Sequence, residues 1–305
     1  MANLRDIQRR MNSIKSTMQV TRTMEMISTA RIRKALDRAE AAGPYKAAIT
    51  RMLSNVANAS MDGSQPLLRE HLEEDHVLYI VIASDRGLAG GFNVVPQRLA
   101  EREMKELAAK GVKAEVITCG KKPTEYFTSR GPAPKMSFVG ISSDPNMDEA
   151  DRIASYVIDS YANGALDRVK MLYWHAKSRV DQEFVTEQLL PVTNESLAIP
   201  NDPRDRDALH KIRGTQYTEY TFDPSASEVL GYLIPAYIRT VIFHALLDSA
   251  AAEHGARRRA MQSASDSAEE VLGQLSRTYN RVRQGSITTE LNEIIGGASA
   301  LEENS

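Results

Sequence analysis

Both ends of the chain carry helix patterns much longer than a compact core requires, and everything between them must be built around that. From residue 3 to about 58 there is no glycine or proline until a break at Gly43-Pro44, and Leu4, Ile7, Met11, Ile14 and Met18 alternate three and four residues apart. This is the spacing of a helix-helix seam. After Met18 the same register meets Thr21, Glu25 and Ser28, whereas Val20, Met24 and Ile27 are apolar one position earlier. The spacing therefore predicts a shift of the seam that leaves Met26 outside it. A second helical pattern starts at Asp223-Pro224, where Asp can cap free amides and Pro is tolerated at the first helical position. It is expected to break or kink at Pro235, to run to about Ile295 and to end at Gly296-Gly297. An isolated amphipathic helix gains little in water, so an antiparallel coiled coil of the two terminal segments is the simplest solution.

Between about residues 75 and 222 the pattern changes to short apolar runs, VLYIVIA, KAEVITC, KMSFVGI, VKMLYWHA and QEFVTEQLL, which read as strands. Helical segments around 94 to 110, 121 to 129 and 147 to 163 separate the first four. Such alternation predicts a mainly parallel, Rossmann-like sheet with covering helices. The fold class expected is α/β: a long antiparallel coiled coil with an inserted sheet domain. Residues 1–58 and 223–305 form the helices and 75–222 the insert. Gly63-Ser64-Gln65-Pro66 marks the entry, and the charged stretch from 201 to 214 reads as an exposed loop before the exit.

In the C-terminal helix Ala252, Ala256, Ala260, Ala264 and Ala268 recur at every fourth residue, and Met261 is the only large apolar side chain between Leu247 and Val271. Small residues let helix axes approach closely, although alanine is also the best helix former. Residues 1 to 38 hold nine basic residues (Arg5, Arg9, Arg10, Lys15, Arg22, Arg31, Arg33, Lys34, Arg38) against Asp6, Glu25 and Asp37. Arg257-Arg258-Arg259, Arg277, Arg281 and Arg283 add to this on the other helix. A solvated face accounts for most such charges, but basic helices in a chain of net charge -2 also suit an acidic partner. Nucleic acid is disfavoured, because no aromatic residues interleave with the basic ones and no helix-turn-helix, zinc or RNA-binding signature accompanies them.

The single cysteine, Cys119, excludes an intrachain disulfide framework and reads as a small buried hydrophobe. No apolar stretch approaches the roughly 20 residues that span a bilayer, and the N-terminus lacks a secretory signal core; the expectation is a soluble or peripheral protein. The six histidines are scattered without metal-ligand spacing.

One stretch invites a nucleotide reading. SDRGLAGGFN, residues 84 to 93, leaves a strand and enters a helix, where a phosphate often sits. It has neither GxGxxG nor GxxxxGK followed by Ser or Thr, so no cofactor and no direct nucleotide binding are expected. Gly87, Gly90 and Gly91 instead let the backbone turn tightly where the sheet domain meets the paired helices. Asp85 and Arg86 order the loop or touch a partner.

The N-terminal IQRRMNSIKSTMQVTRTMEMISTARIRKA, this central SDRGLAGGFN and the C-terminal SRTYNRVRQGSITTELNEIIGGASAL resemble, in order and spacing, the three signature regions of the F-type ATP synthase gamma subunit of bacterial type. The resemblance covers essentially the whole chain. It implies a non-catalytic rotor shaft inside a ring of three alpha and three beta subunits, resting on a membrane c ring, binding the epsilon subunit and attached peripherally at the cytoplasmic face of the bacterial plasma membrane. It implies that Arg283, Gln284 and Thr288, with Glu290 and Glu293, form the catch for beta-subunit loops. Met24 with Met26, and Arg257 with Met261, match positions that face the acidic lever of beta; for Met24, packing on the C-terminal helix is an equal reading. Tyr220, Phe222 and Asp223 resemble the foot segment near the c ring, and Asp223 as a helix cap is compatible with that. Ala89 stands where many relatives have cysteine, Arg258 replaces a methionine, and the 201 to 214 loop is longer than usual. A coiled-coil scaffold without motor function is the alternative.

Overall fold

A computed structural model describes residues 4–59, 65–71, 74–131, 133–193, 197, 223 and 225–302. The chain-terminal helices are α1 (Leu4–Ala59) and α5 (Ala226–Glu302). Between them lie β1 (His76–Ile82), α2 (Val94–Ala109), β2 (Lys113–Cys119), α3 (Lys121–Arg130), β3 (Met136–Phe138), α4 (Met147–Ala162), β4 (Arg168–His175) and β5 (Glu183–Leu190). Each strand coincides with one of the five apolar runs, and each intervening helix with a predicted one. The chain divides into two compact units, 1–27 with 258–305, and 28–257.

In the first unit the early part of α1 pairs antiparallel with the late part of α5. Ile7, Met11 and Thr21 are buried on α1, and Met261 and Ser265 on α5. The Thr21 and Ser265 hydroxyls are 2.6 Å apart, and Arg22 lies 3.6 Å from Glu269. The seam does not shift as expected. It keeps its three-four spacing through the polar Thr21, while Val20 and Ile27 are exposed and Met24 half-buried; Met26 is exposed, outside the seam as expected. A hydroxyl can stay in the seam because another hydroxyl on the facing helix satisfies it. On α5 the spaced positions Met261, Ser265, Ala268, Leu272 and Leu275 are buried or half-buried. An every-fourth alanine stripe drifts off a seam of period 3.5, so Ala260 and Ala264 flank that line rather than form it.

The second unit is a three-layer α/β/α body. Its sheet has the order β3-β2-β1-β4-β5, parallel except for β5, which runs antiparallel to β4. Alternation along β1 feeds two cores. Leu78, Ile80 and Ile82 meet Ile153 and Val157 of α4, Ile49, Leu53 and Val56 of α1, and Leu230, Ile234, Ile238 and Val241 of α5. Val77, Tyr79 and Val81 meet Ala100 and Met104 of α2 and Phe127 of α3 on the other face.

Four expected helix breaks or boundaries differ in the structure. Neither Pro44 nor Pro235 interrupts its helix. The residues four before them, Glu40 and Gly231, are exposed, so the carbonyl deprived of an amide partner sits at the solvent side. Buried residues on both sides, Ala39 and Ala47 in one case and Ile234 and Ile238 in the other, keep the helix continuous. Gly296-Gly297 does not end α5, which continues through an alanine-rich turn to Glu302. The start of α5 lies after Asp223: Glu228 donates its amide to the Ser225 hydroxyl at 3.3 Å, making Ser225 the cap.

The early part of α5 is also more apolar than the sequence reading allowed. By length and composition it passes for a membrane span, but much of it is buried within the chain. Its Leu230, Ile234, Ile238, Val241 and Ile242 belong to the α/β core.

Candidate functional site

Strand order reverses between β1 and β4, and in open α/β sheets the crevice at such a switch point, beyond the C-terminal strand ends, is where ligands bind. Residues 84–93 occupy that edge. The Asp85 carboxylate accepts the amides of Lys121 and Gly140 at 2.8 Å on Oδ1 and of Ser142 at 3.0 Å on Oδ2. These three donors come from the segments following β2 and β3, and one of them, the Lys121 amide, opens helix α3, where backbone amides favour an anion. Burial alone would raise the Asp85 carboxyl, but the three amides bring it below the usual range. An internal carboxylate thus uses the donors an external anion would need.

The rest of the loop is fixed equally tightly. The Ser84 amide and hydroxyl donate to Asn93 Oδ1 at 2.8 and 2.9 Å, and Asn93 Nδ2 donates to the Arg86 carbonyl at 3.2 Å. Gly90 has φ +58°, the left-handed conformation expected of it, but so does Leu88, at φ +62° with an exposed side chain. Gly87 and Gly91 are not at positive φ. Leu88 carried no sequence signal, because nothing distinguishes a leucine held in a strained turn from one in a strand.

Beneath the loop, Ala89 and Phe92 pack with Ala176, with Ile32 and Leu36 of α1, and with Ala251 and Ala252 of α5. The Trp174 indole donates to the Phe92 carbonyl at 2.9 Å. Arg257 donates to the Gly87 carbonyl at 3.3 Å and pairs with Glu253 at 2.8 Å, both partners buried. Gln182, entering β5, donates to the Ala252 carbonyl at 2.6 Å, and a Cβ at Gly255 would run into the Gln182 amide. A second tie joins β4 to α5. His175 Nδ1 lies 2.6 Å, and His244 Nδ1 3.3 Å, from Oδ2 of the buried Asp248. Burial opposes charge on Asp248, yet His244 and His175 hold its carboxyl far below the usual range. His175 and Asp248 are 73 residues apart, so no spacing in the sequence announces them.

The residues assigned by resemblance fall into distinct settings. Arg283, Gln284, Thr288, Glu290 and Glu293 are all exposed on α5, and the Thr288 hydroxyl donates to the Gln284 carbonyl at 2.9 Å. Around them Ile287, Leu291, Ile294 and Ile295 are exposed apolar side chains. Met26 is 65% exposed and Met24 half-buried, whereas Arg257 and Met261 are buried, at 7% and 5%. Packing and the Glu253 ion pair engage Arg257 inside its own unit. Asp223 is exposed; Tyr220, Phe222 and the 201–214 loop lie outside the described residues. Among the described residues no group of three His, Cys, Asp or Glu side chains is disposed to hold a metal ion.

The 28–257 unit is thus a doubly covered α/β body in which Asp85 of its own loop takes the amides at the switch-point edge, and the other unit is a pair of antiparallel helices; together they define an α/β protein with paired terminal helices. A family model described as ATP synthase matches residues 3–301. The ATP synthase gamma chain of Desulforamulus reducens is 39% identical over 302 residues, covering 99% of this chain and 100% of that one. That of Chlorobaculum tepidum is 38% identical over 307 residues, with 99% and 100% covered. The chain belongs to the ATP synthase gamma chain family. In fold it is similar to a chain of the Euglena gracilis mitochondrial ATP synthase OSCP/F1/c-ring structure in rotational state 3, with a TM-score of 0.64, 18% identity and coverage of 98% and 94%. It is also similar to one in the Tetrahymena thermophila mitochondrial ATP synthase central stalk/c-ring structure, with a TM-score of 0.55, 22% identity and coverage of 81% and 99%.

Proposed function

We propose that this chain is the central rotor shaft of an F-type ATP synthase, coupling ion-driven rotation of the membrane c ring to ATP synthesis or hydrolysis at the beta subunits of an alpha-beta ring. Full-length family membership supports this, and the observation that carries it is the division of labour along α5. Its early part is buried in the α/β core, while its late part carries exposed apolar and polar groups that no described residue covers. Residues 1–58 and 223–305 serve as the shaft and 75–222 as the foot, which meets the epsilon subunit and the c ring at the cytoplasmic face of the bacterial membrane. The chain performs no hydrolysis itself; its asymmetry gives three identical beta sites different conformations.

In this role Ile287, Leu291, Ile294 and Ile295 slide within an apolar sleeve, and Arg283, Gln284, Thr288, Glu290 and Glu293 form transient polar catches on beta loops. Arg283 is suited to bidentate bonding of a carboxylate. Exposed Met26 and half-buried Met24 offer an adaptable surface to the acidic lever of beta. Arg257 and Met261, buried as they are, are assigned to support within their own segments of α5. Tyr220, Phe222 and Asp223 are assigned to the foot.

The test is co-assembly with the alpha and beta subunits of the same organism, followed by observation of a bead attached to the α/β insert. Stepwise rotation driven by ATP is the expected result. A stable, ATP-hydrolysing complex in which the bead does not turn would overturn the rotor reading in favour of a scaffold.

A further inference from the structure

A cleft of about 300 Å³ lies within the 28–257 unit, walled by α1, by the Ser143–Pro145 segment ahead of α4, and by the Leu247–His254 stretch of α5. Its α1 wall presents Arg31, Lys34 and Arg38, spaced three and four residues apart and so on one helix face. Arg38 is already committed: it pairs with Asp144 and donates to the Pro145 carbonyl at 2.9 Å, which fixes the loop wall. Arg31 and Lys34 are exposed and pair with no acid among the described residues. Opposite them is His254, 3% exposed, lining the cleft with no hydrogen-bond partner among the described residues. Its ring is therefore open to bonding by whatever enters the cleft.

We propose that this cleft binds a small, multiply charged oxyanion of the phosphate class. Arg31 and Lys34 supply charge-assisted donors, Arg31 with the planar fork that matches two phosphate oxygens. Ser143 adds a hydroxyl, and the buried His254 donates a ring N–H from the opposite wall. The Arg38–Asp144 pair holds the rim without consuming the other two cations. Burial first, then the Arg257 and Arg31 charges, push the His254 imidazole down to about 4. An anion seated between these groups offsets that repulsion, so occupancy and His254 protonation reinforce one another. Nothing in this depends on rotation or on the partner subunits.

The full-length chain is titrated with inorganic pyrophosphate at constant ionic strength while the His254 ring resonances, identified by their loss in His254→Gln, are followed by NMR. A saturable shift, with the His254 pKa rising on binding, is expected. Arg31→Gln combined with Lys34→Gln should weaken binding by about tenfold or more, since each removes a charge-assisted bond, with an unchanged far-UV circular dichroism spectrum. ADP is titrated in parallel: equal affinity assigns the cleft to the phosphate group alone, and tighter binding to a nucleotide source of it. A shift that fails to saturate, or that persists unchanged in the double variant, would overturn the proposal.

Discussion

At the end of β2, Cys119 is 1% exposed, and burial pushes its thiol up to about 12. Alkylation requires the thiolate and access to it, so the folded chain should resist iodoacetamide at pH 8 and react quickly once unfolded in urea; rapid labelling of the native chain would contradict the packing of the β2 end. His254 makes the opposite kind of statement about charge. Its folded pKa, about 4, lies below the ordinary 6.5, so between those values the unfolded chain takes up the proton first. Stability is therefore complete above about pH 6.5 and is lost as pH falls toward 4, with a slope of up to about 1.4 kcal/mol per pH unit from this group. Replacing His254 by Gln should flatten that limb of a urea-unfolding pH series, and an unaltered slope would show the group is not held neutral by its surroundings.

Gly120 stands where β2 turns into α3, at φ +111°, and a Cβ there would run into the carbonyl oxygen of Ala83 at the end of β1. Gly120→Ala should cost about 3 kcal/mol through backbone strain and overpacking together, read from the urea midpoint; a loss within error would mean that the β1 and β2 ends can separate freely. Elements of this kind were legible in the sequence where their cause is local. Five strands and three helices stand where the alternation of apolar runs and helical segments put them, and the Asn146 and Glu149 capping box that opens α4, not singled out in the sequence, is likewise a local cause. What escaped was decided by partners far along the chain. Thr21 stays in the seam because Ser265, 244 residues away, satisfies it, and Pro44 and Pro235 stay in their helices because core residues on both sides are buried. The site divides in the same way. The missing motifs let the glycine-rich loop be read as a turn rather than a phosphate cradle, and Asp85 with Arg86 as ordering it or touching a partner. The amides of Lys121, Gly140 and Ser142 that make Asp85 an internal anion, and the His175–Asp248 tie, depend on tertiary contacts no periodicity encodes.

For the chain as a whole, the proposed catch can be separated from folding. Gln284 and Thr288 are exposed, and the only bond described for Thr288 is back to its own helix. Replacing both by alanine should move stability by no more than about 0.5 kcal/mol, while ATP turnover by the assembled complex falls severalfold; parallel losses of folding and activity would remove the catch assignment. The carboxylate of Asp85 has a consequence of another kind. Because it is tethered to the edge it fills, its local concentration is set by the chain and exceeds what a freely diffusing metabolite can offer. An external anion can reach the amides of Lys121, Gly140 and Ser142 only by displacing a rival that never diffuses away, so the loop is held by the chain itself rather than by anything the solvent supplies.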